Sequence, residues 1–317
     1  MAERDTLRLD GTWEIADGKS ATEIPADFTH RGPVPGMANL ATPPFANVDR
    51  FFAREQLANR IRWKLSPPEW LKEYWNGKVD QDRDYFWYRT TFRAPAPRPV
   101  ALLKINKAQF GTAVWLNGRK LGEYAGCFTA SYFHLEEALR WNEENTLVVR
   151  IGAHPAVLPD TYPAGSDFEK IKWTPGIYDS VSLIFCDHPR IESIQVAPRI
   201  GKGEITVQTK LRNGGATPAS ASLTHTVKTW KGGEQVATAS PQAISLAPGQ
   251  EQVVTQTLPI PDAHLWSPED PFLYVLESST GGDSASTRFG MREFRFVAAS
   301  NRDMQMKSGP ILHGMHF

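Results

Sequence analysis

Short stretches rich in β-branched and aromatic residues recur along this chain, and residues that favour turns bound each one. Examples in the first half are Ala101–Asn106, Thr112–Leu116, Asn145–Ile151 and Ser180–Phe185. Such stretches are typical of β-strands. Asn117-Gly118 follows one of them and predicts a type I′ hairpin, because both residues tolerate a positive φ angle. We therefore predict a jelly-roll β-sandwich over residues 1–187.

One segment of the predicted jelly roll has helical rather than alternating spacing. Phe51, Ala58, Ile61 and Leu65 recur near the period of an α-helix, and prolines at 67 and 68 end the pattern. We predict a helical insertion at about residues 49–80.

A second group of strand-like stretches begins near residue 188. Ile205, Val207, Thr209 and Leu211 alternate with polar residues, as expected for a strand with one buried face. About seven such stretches fill roughly 100 residues, which is the size of an immunoglobulin-like sandwich. We assign this second all-β domain to residues 188–297.

Composition narrows the functional classes. The 35 basic and 35 acidic side chains balance, so the sequence predicts neither a nucleic-acid partner nor a membrane partner. The start shows no secretory signal, which favours a cytoplasmic location as written, or a periplasmic or secreted one if a signal was removed. Cys127 and Cys186 have no metal-ligand spacing and are predicted to be buried free thiols. No motif indicates a metal or another cofactor.

Nine short motifs occur in a characteristic order over nearly the whole chain. They are Leu9–Trp13, Val34–Gly36, Trp87–Arg89, Val114–Gly118, Lys120–Gly122, Asn145–Val149, Trp173–Tyr178, Leu265–Pro268 with Pro271–Tyr274, and Arg288–Phe294. In this order they resemble the N-terminal part of family 2 glycoside hydrolases, which include β-galactosidases, β-glucuronidases and β-mannosidases. The resemblance implies a sugar-binding jelly roll, an immunoglobulin-like connector and an (α/β)8 barrel that carries the catalytic carboxylates.

The barrel has little counterpart in this sequence. Pro310–His316 resembles its first strand, so residues 298–317 are interpreted as a linker and a remnant of that strand. The family's Asn-Glu acid/base motif and its nucleophilic Glu are not found. A retaining mechanism needs two carboxyl groups about 5 Å apart, so the catalytic residues stay unassigned and activity of this chain alone stays open.

The resemblance also implies where sugar is contacted. In relatives, a loop of the first domain reaches the terminal sugar at the barrel mouth, and the matching stretch here is His154–Tyr178. Carboxylates accept hydrogen bonds from sugar hydroxyls and an indole stacks on a pyranose. Asp167 with Trp173 is the first choice. Asp160, Glu169 and Lys170 are further candidates. In the alternative interpretation, Trp173 plugs the sandwich and Asp167 caps a turn.

Three functional hypotheses follow. The first is the non-catalytic N-terminal part of a β-galactosidase-like glycosidase, which binds a β-linked glycoside and pairs with a separate barrel or with a second copy. The second is a stand-alone carbohydrate-binding protein. The third is a short β-glycosidase that uses first-domain carboxylates such as Asp160, Asp167 and Glu169.

Overall fold

The structure, a computed structural model, describes residues 4–46, 48, 54–69, 83–153, 157–158 and 174–293. The chain divides into two compact units. The first sandwich is Thr6–Phe185, and the second sandwich combines Met1–Asp5 with Cys186–Phe317. The chain therefore passes from one unit to the other at two places.

The first sandwich contains twelve strands among its described residues. They are β1 Asp5–Arg8, β2 Gly11–Gly18, β3 His30–Val34, β4 Gly36–Met37, β5 Tyr85–Arg93, β6 Val100–Ile105, β7 Thr112–Leu116, β8 Arg119–Tyr124, β9 Ser131–His134, β10 Glu144–Gly152, β11 Gly176–Ile177 and β12 Val181–Cys186. A short 3-10 helix spans Ala38–Leu40, and one α-helix, α1, spans Arg54–Arg62. Helix α1 falls within the stretch for which a helical insertion was predicted.

These strands form two large antiparallel sheets. One has the order β1-β12-β6-β9 and the other the order β3-β2-β5-β10-β7-β8, while β11 and β4 make a small two-stranded sheet. Side chains from both large sheets meet in one core, with Trp13, Phe86 and Tyr88 from one and Leu103 and Phe185 from the other. Each such side chain contributes roughly 1.5–3 kcal/mol by leaving water.

The predicted hairpin is confirmed by its backbone. Asn117 and Gly118 have φ angles of 52° and 83°, and they connect β7 to β8. The side-chain amide of Asn117 donates to the side-chain oxygen of Asn145 at 2.8 Å. Its oxygen accepts a hydrogen bond from the backbone N–H of Thr146. The turn is thereby fixed to the neighbouring strand β10 as well as to its own hairpin.

The second sandwich contains eight strands among its described residues. They are β13 Arg190–Arg199, β14 Glu204–Arg212, β15 Ala219–Thr229, β16 Gln235–Thr238, β17 Gln242–Leu246, β18 Glu251–Pro259, β19 Tyr274–Ser279 and β20 Ser284–Phe289, and a 3-10 turn spans Ile200–Lys202. One sheet has the order β13-β14-β18. The other has the order β16-β15-β19-β20, with β17 also paired to β15.

The alternation predicted along β14 is confirmed, since Ile205, Val207, Thr209 and Leu211 are all 0% exposed. Their neighbours point outward, and inward residues of β15, β19 and β20 complete the core. Both units are thus all-β sandwiches, as the sequence predicted. Cys127 and Cys186 are buried and form no disulfide, also as predicted.

Among the described helices, none has the length and apolar character needed to cross a bilayer.

Candidate functional site

The candidate sugar-contacting residues lie on a stretch that the structure describes only at its flanks. Asp160, Asp167, Glu169, Lys170 and Trp173 all lie outside the described residues. Their proposed role therefore stays a prediction. What the structure does define is the end of the first sandwich from which this stretch departs and to which it returns.

Both flanks of that stretch are bonded to the dipeptide Gln109-Phe110. On one side, the N–H of Gly152 donates to the carbonyl of Phe110 at 2.6 Å. On the other, Gln109 and Gly176 exchange both backbone hydrogen bonds, at 2.8 and 2.9 Å. The side-chain amide of Gln109, only 4% exposed, donates to the carbonyl of Thr174 at 2.6 Å. The start and the finish of residues 153–174 are therefore fixed side by side.

The residues that follow this stretch, from Thr174 to Ile177, are also held by the small β4–β11 sheet. Gly176 pairs with Met37, and the N–H of Ala38 donates to the carbonyl of Pro175 at 2.8 Å. A Cβ atom at Gly176 would lie 2.5 Å from both the carbonyl oxygen of Gly36 and the Cα of Met37. Glycine is therefore the only residue that fits this approach without moving the backbone.

A buried arginine, Arg83, forms hydrogen bonds with two further segments of the chain at this end of the first sandwich. The Arg83 guanidinium donates to the carboxylate of Asp17 and to the carbonyl of Ala46, each at 2.8 Å. It lies over the ring of Phe45, at 5.5 Å from the centroid. The backbone carbonyl of the next residue, Asp84, accepts a hydrogen bond from the N–H of Ala153 at 2.7 Å. The described residues flanking 47–53, 70–82 and 154–173 are thus joined at one edge of the sandwich.

The loop between β8 and β9 completes this end, which we call the loop rim (residues 106–111, 124–130, 152–153 and 174–180). The Tyr178 hydroxyl donates to the carbonyl of Cys127, and Tyr124 bonds to the hydroxyl of Thr129. These contacts hold Phe128 outward, where it is 56% exposed. An exposed aromatic ring on a fixed loop is a surface on which the apolar face of a pyranose can stack.

Charges on the loop rim are set by local donors. The backbone N–H of Ser180 and then the Lys107 ammonium, 3.1 Å away, lower the pKa of Asp179 below its ordinary value. Burial raises the pKa of Tyr178. At neutral pH the rim therefore presents a charged Asp179–Lys107 pair beside a neutral tyrosine hydroxyl, and all three are hydrogen-bonding groups.

None of the described carboxyl groups has a clearly raised pKa. A general acid needs a raised pKa. Wherever a carboxyl pKa is clearly shifted within the described residues, it is lowered, because N–H groups or cations donate to the carboxylate. At Glu136, burial opposes this and is outweighed by hydrogen bonds from His134 and the N–H of Ala101. The other lowered groups are Glu123, Asp179 and Glu251.

The region around α1 is a second candidate for a binding site. A surface cavity of about 410 Å³ beside this helix is lined by Ile61, Lys64, Leu65, Ser66, Pro67 and Pro68. The lining residues that the structure describes contain no carboxylate. Nor does the described part of the chain group three His, Cys, Asp or Glu side chains as ligands for a metal ion.

Two stretches of the chain match known family domains. Residues 189–292 match Glycosyl hydrolases family 2, and residues 57–155 match the β-galactosidase second all-beta domain. The two matches support membership of glycosyl hydrolase family 2 for the domains that this chain contains. The first of these stretches lies in the second sandwich and the other lies in the first sandwich, so each unit contains a matched stretch.

Two curated relatives match parts of this chain at moderate identity. The β-galactosidase large subunit of Leuconostoc lactis is 29% identical over 167 residues, which cover 51% of this chain and 24% of that protein. A β-glucuronidase of Formosa agariphila is 25% identical over 248 residues, which cover 70% of this chain and 25% of that protein. The chain therefore spans about a quarter of the length of these relatives.

A solved structure shows the same fold. The β-glucuronidase of Bacteroides uniformis superimposes with a TM-score of 0.63 at 18% identity, covering 93% of this chain and 33% of that one.

Sequence reasoning placed the candidate sugar contacts on the stretch after β10 but did not identify the residues that hold it. Gln109 and Arg83 act through contacts with residues far away in sequence, and no local motif marks either of them. Phe128 lies in none of the nine motifs that resemble family 2. Gly126 and Thr129, residue types that favour turns and loops, are the sequence signal for a loop there.

Proposed function

We propose that this chain provides the sugar-contacting and supporting domains of a family 2 glycoside hydrolase that acts on β-linked glycosides, with β-galactosides the first candidates. The catalytic carboxylates of that enzyme would belong to an (α/β)8 barrel and not to the two sandwiches. The observation that carries the proposal is the anchoring of both flanks of residues 153–174 to Gln109-Phe110.

Anchoring of this kind favours binding because it lowers the ordering cost. A loop whose two ends are already fixed loses less conformational entropy when a ligand orders it. Binding groups are also placed more accurately when rigid elements carry them. The first sandwich meets both conditions at the loop rim, since Gln109, Gly152 and Gly176 are tied to strands of its sheets.

A supporting role agrees with the electrostatics of the described residues. Carboxylates whose pKa is lowered, such as Asp179, stay ionised at neutral pH and accept hydrogen bonds from sugar hydroxyls. They cannot donate the proton that the leaving group requires. Such groups therefore suit binding and orientation of a glycoside rather than its hydrolysis.

The test compares binding with turnover on the purified chain. Saturation-transfer NMR with methyl β-galactoside and methyl β-glucuronide measures binding, and nitrophenyl β-glycosides measure hydrolysis. We expect binding without hydrolysis, and weaker binding in Asp167→Ala and Trp173→Ala. Matched controls are Asp27→Ala and Trp63→Ala, which remove an exposed carboxylate and a 52% exposed indole elsewhere in the first sandwich.

Each other outcome has a definite meaning. Hydrolysis that disappears in Asp167→Ala or Glu169→Ala would replace the proposal with a self-sufficient glycosidase. Binding that never yields activity when a family 2 barrel domain is added would favour a stand-alone binding protein. An absence of binding to both glycosides would overturn the sugar-contact role.

A further inference from the structure

The outer face of one sheet in the second sandwich is rich in hydroxyl groups. Strands β15, β19 and β20 pair in register, so that Thr226, Glu277 and Ser286 lie in one row across the sheet, and Lys228, Val275 and Arg288 lie in the next. The intervening residues, such as Val227, Leu276 and Phe289, face the core. Since a strand advances roughly 3.4 Å per residue, this face is about 20 Å long from Thr224 to Trp230.

One end of this face carries a stacked tryptophan and arginine. Trp230 follows β15 directly, and its N–H donates to the carbonyl of Leu273 at 3.0 Å, which fixes its backbone to the sheet. The Arg288 guanidinium lies over the indole, 4.8 Å from the ring centroid. The indole nevertheless remains 43% exposed. A large aromatic surface is thus held in place and still open to solvent.

The guanidinium of Arg288 is not neutralised. Within the described residues, Arg288 makes a ring contact and has no carboxylate partner. The acid beside it on the sheet, Glu277, is already paired with Lys228 at 2.7 Å. The adjoining turn adds exposed Lys231 and exposed Glu234. Of these five charged residues three are cations and two are acids, and Arg288 is the cation for which the described residues provide no carboxylate partner.

We propose that Trp230 and Arg288 form a surface subsite for uronate-bearing glycans. The indole stacks on the apolar face of a pyranose, and the guanidinium donates two parallel hydrogen bonds to the carboxylate of that sugar. Hydroxyls of Thr226 and Ser286 in the next row bond to neighbouring sugar hydroxyls. This subsite lies in the second sandwich and does not depend on the loop rim.

A glycan fits this face better than a protein partner does. The centre of a protein interface is apolar and poor in charged groups. Here the single exposed indole is surrounded by Thr and Ser hydroxyls and by the Lys228–Glu277 ion pair. A hydroxyl-lined surface with one exposed aromatic ring matches a ligand that has alternating apolar faces and hydroxyl edges.

The test uses tetragalacturonate and its carboxyl-reduced form, titrated calorimetrically into the whole chain. We expect the carboxylate form to bind at least about fivefold more tightly, because charged hydrogen bonds exceed neutral ones. Trp230→Ala should weaken both ligands about tenfold. Arg288→Gln should weaken only the carboxylate form. Trp230→Phe, which keeps a smaller ring, should give an intermediate affinity.

Trp63→Ala and Arg31→Gln are the matched controls, since they remove an exposed indole and an exposed cation from the first sandwich. Neither should change the affinity. The proposal is overturned if Arg31→Gln weakens binding as much as Arg288→Gln does, if carboxyl reduction has no effect, or if folded Trp230→Ala binds like the wild type. Affinity that persists in Asp167→Ala and is lost in Trp230→Ala separates this subsite from the loop rim.

Discussion

Arg4 and Asp283 are 279 residues apart in the sequence and form a two-pronged ion pair. The guanidinium donates through Nε and Nη2 to the two carboxylate oxygens, at 2.8 and 2.7 Å. Nη2 of Arg4 also donates to the backbone carbonyl of Ile191. The backbone N–H of Ile191 in turn donates to the Asp283 carboxylate at 2.6 Å. Asp283 is completely buried. The N-terminal residues before β1 are thereby part of the second sandwich.

Removing this arginine should destabilise the second sandwich. In Arg4→Ala the Asp283 carboxylate loses the cation to which it is hydrogen-bonded while it stays buried, and breaking a buried pair from one side costs about 3 kcal/mol. Denaturant unfolding monitored by tryptophan fluorescence measures the change. Arg8→Ala is the control, because Arg8 is 74% exposed and lies 3.6 Å from Asp10. An exposed pair of that kind contributes less than about 1 kcal/mol. Equal losses in the two variants would contradict the prediction.

The same ion pair should protect the thiol of Cys186. Burial, followed by the nearby Asp283 carboxylate, raises the pKa of this thiol to about 12. The reactive thiolate is therefore scarce at pH 8, and a thiol reagent should label Cys186 only when the second sandwich opens. We expect Arg4→Ala to speed this labelling, as followed by peptide mass spectrometry.

Cys127 is an internal control for that experiment. It is 1% exposed in the first sandwich and has no contact with Arg4 among those described, so its labelling rate should not change. Equal acceleration at both cysteines would indicate that the whole chain had opened, and the assignment of Arg4 to the second sandwich would be wrong.

The sequence predicted the features of this fold that depend on neighbouring residues. The φ preferences of Asn117-Gly118 specify a turn without reference to the rest of the chain. The alternation from Ile205 to Leu211 specifies a strand with one buried face in the same way. Gln109 and Arg4 could not be predicted, because their function lies in hydrogen bonds to Thr174 and Asp283, which only the tertiary fold brings near. The roles of Asp167 and Trp173 remain predictions.

His225 should make the second sandwich sensitive to acid. The imidazole is 1% exposed and bonds to the hydroxyl of Ser278 at 2.7 Å. Burial lowers its pKa below the ordinary 6.5. The unfolded chain therefore binds the proton more readily than the folded one. Stability is retained above pH 6.5 and falls, by at most about 1.4 kcal/mol per pH unit, as the pH drops toward the lowered pKa.

The measurement for His225 is the free energy of unfolding between pH 7.5 and 5. His225→Gln retains a polar side chain that does not titrate, so its stability should depend less on pH. His264→Gln removes a half-exposed imidazole from the same sandwich, and the acid sensitivity should persist because His225 is still present. If the free energy of unfolding of His225→Gln depends on pH as steeply as that of the wild type, the acid sensitivity has another origin.

Gly176 should be the least replaceable residue of the loop rim. An added Cβ would lie 2.5 Å from backbone atoms of Gly36 and Met37, so Gly176→Ala must separate β4 from β11 and loosen the flank held by Gln109. We expect a loss of about 1–3 kcal/mol and faster amide exchange at Gln109 and Gly176, measured by hydrogen-exchange NMR. Gly201→Ala is the matched control, because no atom lies within 4 Å of its added Cβ. Unchanged exchange at Gln109 in Gly176→Ala would show that the β4–β11 contact does not support this end of the first sandwich.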